Sequence, residues 1–92
     1  MPSSLGEAIS GLLKEQGLED TVRLHQAVNL WAEVVGPVIA RNCRAVQVKG
    51  RTLFVKVGSA AWRNELAFQK DDILQTINEK IGSPILKDVR FI

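Results

Sequence analysis

The hydrophobic pattern is clearest between Ser59 and Gly82, where apolar residues recur at three- and four-residue steps. This spacing places them on one side of an α-helix. Ser59 is a good N-cap, and Gly82 suits the left-handed position after a last helical turn. We therefore predict one long amphipathic helix around which the rest of the chain is arranged. Its apolar positions are Trp62, Leu66, Ile73, Leu74, Ile77 and Ile81.

Two helices are predicted before this one. Ser4 and Glu7 form an S-x-x-E capping box, which predicts an N-terminal helix within residues 1–18. Asp20 or Thr21 can cap a second helix. The apolar stripe of that second helix is Leu24, Ala27, Val28, Trp31, Val34 and Val35.

The second helix is expected to break or kink at Gly36-Pro37, because proline lacks the backbone N–H and disfavours a helical residue before it. Residues 38–40 could restart a short turn of helix. Past this point the periodicity changes from that of a helix to that of a strand.

Residues 45–49 and 52–57 alternate with a period of two, which predicts two strands. Gly50-Arg51 between them suits a type II′ hairpin turn. We predict that one face of the hairpin points to the core and carries Val46, Val48, Leu53, Val55 and Val57. The opposite face would carry Gln47, Lys49, Phe54 and Lys56.

Residues 85–92 predict a third strand, with Val89 and Phe91 pointing inward and Asp88, Arg90 and Ile92 pointing outward. The expected fold is α+β, with helices on one face of a three-stranded sheet, in the order α-α-β-β-α-β. The chain is expected to be a single domain, residues 1–92, with an N-terminal helix in 1–18 and an αββαβ core in 20–92. The pattern leaves open whether the third strand lies beside the first or the second.

Composition agrees with one globular domain: 46% of the 92 residues are hydrophobic and 24% are charged. No apolar run approaches the roughly 20 residues of a membrane span. A single cysteine, Cys43, cannot form an internal disulfide. These features predict a cytoplasmic protein.

The sequence gives little support for an enzyme. His25 is the only histidine and lies within a predicted helix, so a surface or partly buried histidine is expected. Cys43 is expected to be a half-buried structural thiol. Asp71 and Asp72 are consecutive on a helix and do not share a face. No phosphate-binding loop, dinucleotide fingerprint or nucleophile elbow is present, and we expect neither a cofactor nor a metal.

The charge distribution is more informative than the net charge of +2. No acidic residue occurs between Val34 and Asn64, although that stretch carries six basic residues. The predicted outward sheet face holds cations around one aromatic ring, an arrangement that suits single-stranded nucleic acid. The candidate nucleic-acid contacts are Lys49, Arg51, Lys56 and Arg90, with Arg41 and Arg44 as helpers and Phe54 as a stacking ring. The alternative is a solubilising sheet face, or a strand edge protected by lysine.

Four other side chains stand out on the helices. Trp31 and Trp62 lie on apolar stripes, so core packing is expected for both. Phe68 lies away from the stripe of the long helix. It either packs on the first helix or is an exposed anchor for a partner protein. Lys70 is expected to lay its stem along the core edge and to send its charge to water.

An ordered set of short motifs resembles the DciA-like family over about residues 22–91. The motifs are Trp31 with V-V-G-P at 34–37, the basic hairpin, S-A-A-W before E-L at 59–66, I-N at 77–78, I-G at 81–82, and D-V-R-F at 88–91. The resemblance implies a domain similar to a K-homology domain and a role with the replicative DNA helicase, DnaB, in bacteria. The G-x-x-G loop of K-homology domains is absent from this sequence. The chain looks like a short, domain-only member of that family.

The expected function is therefore a non-enzymatic adaptor in bacterial DNA replication. It would dock the replicative helicase and weakly contact single-stranded DNA. Two alternatives remain open: an RNA-binding domain, and a protein-interaction or dimerisation module without nucleic acid. The sequence does not decide the oligomeric state, the role of the N-terminal helix, or whether a domain of this length can load a helicase.

Overall fold

The computed structural model describes residues 18–92. The elements are α1 (Leu18–Val35), α2 (Pro37–Asn42), β1 (Cys43–Lys49), β2 (Thr52–Val57), α3 (Ala60–Ile81) and β3 (Asp88–Phe91). The predicted capping box and N-terminal helix lie outside the described residues. The α+β class and the order α-α-β-β-α-β are confirmed for the described part, in which the short α2 is the second helix.

Helix α1 already runs from Leu18, so Asp20 and Thr21 lie inside the helix instead of capping it. The predicted apolar stripe is confirmed: Leu24, Ala27 and Trp31 are buried in the core. The helix ends where predicted, because Gly36 adopts φ 86° and ψ 168° and Pro37 then starts α2. A positive φ of this kind favours glycine.

Strands β1 and β2 form the predicted antiparallel hairpin. Gly50 has φ 61°, and no described residue other than glycine has a positive φ, as a type II′ turn at Gly50-Arg51 requires. The predicted register of β1 is wrong in part. Ala45 pairs with Val55 and Gln47 pairs with Phe54, so Val46 is the extra residue of a β-bulge.

The bulge changes which residues of β1 face the core. Cys43 and Ala45 are buried, whereas Val46, predicted to point inward, is exposed. Val48 does pack against the core, as expected. A bulge shifts the alternation by one residue, and the sequence pattern of 45–49 carries no sign of that shift.

Helix α3 follows the prediction closely. The Ser59 hydroxyl accepts a hydrogen bond from the Trp62 N–H at 3.2 Å, and Gly82 ends the helix with φ 88°. Leu66, Ile73 and Ile77 are buried along its inner side. The helix therefore packs its inner side against α1 and against strands β2 and β3.

Strand β3 is shorter than predicted and lies parallel to β2, which gives the sheet order β1-β2-β3. The third strand therefore lies beside the second, a question that the sequence left open. Ile85 and Leu86 are buried but precede the strand. The Asn78 side chain fixes this segment, since it donates to the Leu86 carbonyl at 2.9 Å and accepts from the Leu86 N–H at 3.0 Å.

The core lies between the helices and the inner face of the sheet. Leu53, Val55 and Val89 are fully buried from the sheet side. The indole Nε1–H of Trp31 donates to the carbonyl of Cys43 at 2.9 Å, so the one polar group of this buried ring is satisfied. Trp62 packs against the same core, which confirms the expectation for both tryptophans.

Candidate nucleic-acid interface

The candidate site is the outer face of the sheet, which the helices within residues 18–92 leave uncovered. Cross-strand pairing sets three rows of side chains on this face. From the base of the hairpin to its tip, the rows are Arg44 and Lys56, then Gln47, Phe54 and Arg90, then Lys49, Thr52 and Asp88. We call this set the outer face.

The strongest concentration of positive charge lies at the base of the hairpin. Arg44 and Lys56 are paired residues on neighbouring strands, so their side chains start side by side. Arg41, from the last turn of α2, joins them around a cavity of about 310 Å³. None of the three forms an ion pair with another described residue. Like charges placed in this way repel each other, so the cluster favours an anion between them.

Phe54 and Arg90 form the centre of the outer face. They are register partners on β2 and β3, and Phe54 is half-buried while Arg90 is exposed. The ring of Phe54 thus has a cation on its β3 side and lies one row from the cluster at the hairpin base. A planar guanidinium and an aromatic ring are both groups on which a base can stack.

The two candidates at the hairpin tip differ from each other. Lys49 is exposed on the outer face, about 16 Å along β1 from Arg44 at the usual rise per residue. Arg51 is turned away from that face. Its guanidinium donates to the Ile85 carbonyl at 3.1 Å and lies 3.6 Å from an Asp20 carboxylate oxygen. Arg51 therefore ties the hairpin to α1 and to the segment before β3.

Phe68 lies on α3 and is not part of the outer face. Its side chain is 88% exposed, more than any other large hydrophobic residue among those described. Exposure agrees with the anchor interpretation. The alternative, packing against the first predicted helix, involves residues outside the described range.

His25 and Cys43, the two residues considered for catalysis, have surroundings that are typical of structural residues. His25 is exposed, and its Nδ1 lies 2.8 Å from the Thr21 carbonyl oxygen one turn earlier. Cys43 is fully buried rather than half-buried, and burial raises the pKa of its thiol. Within residues 18–92, no group of His, Cys, Asp and Glu side chains is arranged to hold a metal ion.

Two features of the structure were not found from the sequence. The Lys70 ammonium was predicted to be solvated by water, but it lies 2.6 Å from an Asp88 carboxylate oxygen and forms an ion pair with it. A groove also runs between α3 and β3. The sequence could not show either, because Lys70 and Asp88 meet only once β3 is placed at the edge of the sheet.

A further observation concerns membranes. In the part of the chain that the structure describes, no helix combines the length and the apolar character needed to cross a bilayer.

Together these features define a small α+β domain with helices on one side of its sheet and a basic, partly aromatic surface on the other. The family model described as "Dna[CI] antecedent, DciA" matches residues 4–91. The chain belongs to the DciA family. The resemblance inferred from the motifs is thereby confirmed, whereas the similarity to K-homology domains stays an expectation.

Curated relatives agree with this assignment. A UPF0232 protein of Corynebacterium glutamicum is 31% identical over 87 residues, which cover 95% of this chain and 49% of the relative. A UPF0232 protein of Streptomyces coelicolor is 27% identical over 93 residues, covering 99% of this chain and 49% of that protein. The chain thus spans about half the length of the curated relatives it matches.

Proposed function

We propose that this domain acts in bacterial DNA replication as a non-enzymatic adaptor that docks the replicative helicase and holds single-stranded DNA weakly on its outer face. Membership of a helicase-loader family supports the replication role. The DNA contact is supported by the outer face itself.

The observation that carries the DNA proposal is the cluster of Arg41, Arg44 and Lys56. Three cations without a carboxylate partner among the described residues are costly to hold together unless an anion neutralises them. Phosphates would occupy this cluster, a base would stack on Phe54, and Arg90 and Lys49 would follow the backbone on either side. Arg51 contributes less, since its guanidinium is engaged with Asp20 and Ile85.

Charge reversal on the outer face tests the DNA proposal. The double variant Lys49→Glu, Lys56→Glu should bind a fluorescent single-stranded oligonucleotide at least tenfold more weakly than the wild type in an anisotropy titration. The salt dependence of log K should become shallower by about 1.4, because each lost phosphate contact on a single strand contributes about 0.7. Thermal unfolding should change little, since both lysines are exposed.

A matched control uses two lysines that are not part of the outer face. The double variant Lys80→Glu, Lys87→Glu changes the net charge by the same amount at residues away from the outer face. It should bind DNA within about twofold of the wild type. Equal weakening in both double variants would show that only net charge matters, and unchanged binding in Lys49→Glu, Lys56→Glu would remove the outer face from DNA recognition.

Single-stranded RNA and duplex DNA, titrated in parallel, test the RNA-binding alternative.

A separate residue is proposed for the helicase contact. Phe68 is a large apolar side chain held almost wholly in water, on a helix face that carries exposed Glu65, Asp72 and Glu79. Exposed aromatic residues of this kind anchor protein interfaces. This surface is spatially distinct from the outer face, so one domain could hold DNA and helicase together.

Substitution of Phe68 tests this contact. Phe68→Ser should weaken binding to the purified replicative helicase at least tenfold in biolayer interferometry, because an interface anchor is lost. DNA binding and the midpoint of thermal unfolding should be unchanged. Val38→Ser is the matched control, since Val38 is also exposed, at 59%, but lies on α2. Wild-type helicase affinity in Phe68→Ser would exclude Phe68 from the interface.

A further inference from the structure

The groove between α3 and β3 is a second surface, separate from the cluster at the hairpin base. It has a volume of about 470 Å³ and is lined by Arg63, Ala67 and Lys70 on the helix and by residues 88–91 of the strand. The three helix residues are spaced i, i+4 and i+7, so they form one stripe facing the strand. The small side chain of Ala67 leaves an opening between two long basic side chains.

Strand β3 forms an open edge of the sheet among the described residues. Backbone groups of alternate residues in a strand point to opposite sides. The backbone N–H groups of Asp88 and Ile92 point to the hairpin. The Asp88 N–H lies 3.3 Å from the Arg51 carbonyl oxygen, and the Ile92 N–H donates to the Val55 carbonyl at 2.8 Å. The backbone groups of Val89 and Phe91 therefore point away from the hairpin, to the open edge that borders the groove.

The edge strand carries a carboxylate at its first residue, Asp88. Asp88 Oδ1 accepts from the Val89 N–H at 2.8 Å and lies 2.6 Å from Lys70 Nζ, while Oδ2 lies 3.8 Å from Arg90 Nε. One edge N–H and two cations thus converge on an acidic group that the chain itself supplies. This arrangement shows which chemistry the edge accommodates, namely a carboxylate next to a strand backbone.

We propose that this groove binds an extended acidic segment of a partner protein by strand addition to β3. The segment's backbone would pair with the Val89 carbonyl and with the backbone groups of Phe91, as in other complexes formed at a sheet edge, while the Val89 N–H stays bonded to Asp88. Its carboxylates would lie against Arg63 and Lys70, and a small apolar side chain would lie over Ala67. Four residues of β3 extend about 13 Å, enough for a segment of about four or five residues.

A peptide suits the groove better than nucleic acid for two reasons. The Asp88 carboxylate lies among the basic side chains and would repel each phosphate of a nucleic-acid backbone, whereas a peptide can place neutral backbone groups beside Asp88 and direct its carboxylates to Arg63 and Lys70. An open strand edge also offers hydrogen bonds that only another peptide backbone matches in spacing. This inference goes beyond the proposed function, because the outer face and the groove share only Asp88 and Arg90.

A labelled peptide tests the proposal directly. The probe is a fluorescein-labelled five-residue peptide with aspartate at its first and last positions, valine in the middle and threonine at the other two, so that both carboxylates and the apolar side chain lie on one face of the strand. It is titrated with the full chain at low salt and followed by anisotropy. Saturable binding is expected. Methylation of the peptide nitrogens that face β3 should weaken binding at least tenfold, because the added strand then lacks its donors. Replacing the aspartates by lysine should abolish binding.

Variants of the groove provide the second arm. Lys70→Ala and Arg63→Ala should each weaken peptide binding at least fivefold. Arg63 forms no ion pair with other described residues, so its removal leaves the contacts of β3 in place. Lys80→Ala is the matched control, since Lys80 lies on the same helix and pairs with Glu33 at 3.1 Å. It should bind the peptide like the wild type.

The outcomes separate this proposal from the DNA proposal. Lys49→Glu, Lys56→Glu should lose DNA and keep the peptide, and Arg63→Ala should do the reverse. The groove proposal is overturned if the peptide does not bind, if N-methylation has no effect, or if both groove variants bind like the wild type. Displacement of the peptide by single-stranded DNA, with a matching loss of DNA affinity in Arg63→Ala, would assign the groove to nucleic acid and equally overturn it.

Discussion

At the scale of single residues, Asp88 shows how one side chain can hold several elements. Its carboxylate caps the Val89 N–H at the sheet edge and pairs with Lys70 of α3. The hydrogen bond from Lys70 is the main reason that the pKa of Asp88 lies below its ordinary value of 3.8. Partial burial opposes this effect, and the Val89 N–H adds to it. The charged form of Asp88 is therefore the form that the fold stabilises.

This lowered pKa predicts an acid-dependent loss of stability. A carboxyl group whose pKa is lower in the folded state stabilises the protein above its unfolded-state pKa and ceases to do so as the pH falls through the folded-state pKa. The free energy of unfolding, from urea titrations at pH 7, should thus be lower in Asp88→Asn than in the wild type. At pH 3 and below this difference should shrink. A difference that is constant from pH 7 to pH 2 would show that the charge of Asp88 does not matter.

Residue-scale contacts between distant parts of the chain were the hardest to predict. Arg51 was expected to be a nucleic-acid contact at the hairpin turn, and nothing in the sequence indicated that its guanidinium donates to the carbonyl of Ile85. Lys70 was expected to reach water, but it meets Asp88. In both cases the basic residue and its partner are brought together only by tertiary structure, which hydrophobic periodicity does not describe.

At the scale of elements, the success of prediction depended on local signals. Helix α3 was predicted closely because its apolar stripe, its Ser59 cap and the glycine after it all lie in one continuous segment. Strand β1 was predicted less well, because a bulge at Val46 shifts its alternation. The position of β3 beside β2 was also beyond the sequence, since strand order depends on contacts across the sheet.

Because of the bulge, truncation to alanine should destabilise the fold by different amounts at Val46 and at Val55. Val46→Ala should lower the free energy of unfolding by less than about 1 kcal/mol, because Val46 is partly in water and no core cavity forms. Val55→Ala, the same change on β2 at a fully buried position, should cost about 2 kcal/mol or more. Urea unfolding of both variants gives the comparison. A larger loss of unfolding free energy in Val46→Ala than in Val55→Ala would contradict the observed register. It would instead favour the simple alternation, in which Val46 points to the core.

At the scale of the whole molecule, charge is divided between the two sides of the sheet. The outer face carries exposed cations from the acid-free stretch of 34–64, while exposed acids lie on the helices, as in Glu33, Glu65 and Asp72. The sequence predicted the basic face, because period-two alternation is enough to group Lys49, Phe54 and Lys56. It did not predict that Arg41 and Arg44 join Lys56 around one cavity, since this depends on the short helix α2 and on the bulge.

The central claim is that the outer face binds single-stranded DNA, and amide chemical shifts test it most directly. A ¹⁵N-labelled sample would be titrated with a short oligothymidine at low salt. The account predicts that the largest shifts occur at Arg44, Phe54 and Lys56, with small shifts at Lys80 and along the exposed side of α3. Shifts confined to α3 would contradict the account by placing the DNA on that helix. No shifts at all would also contradict it and leave a domain that recognises protein alone.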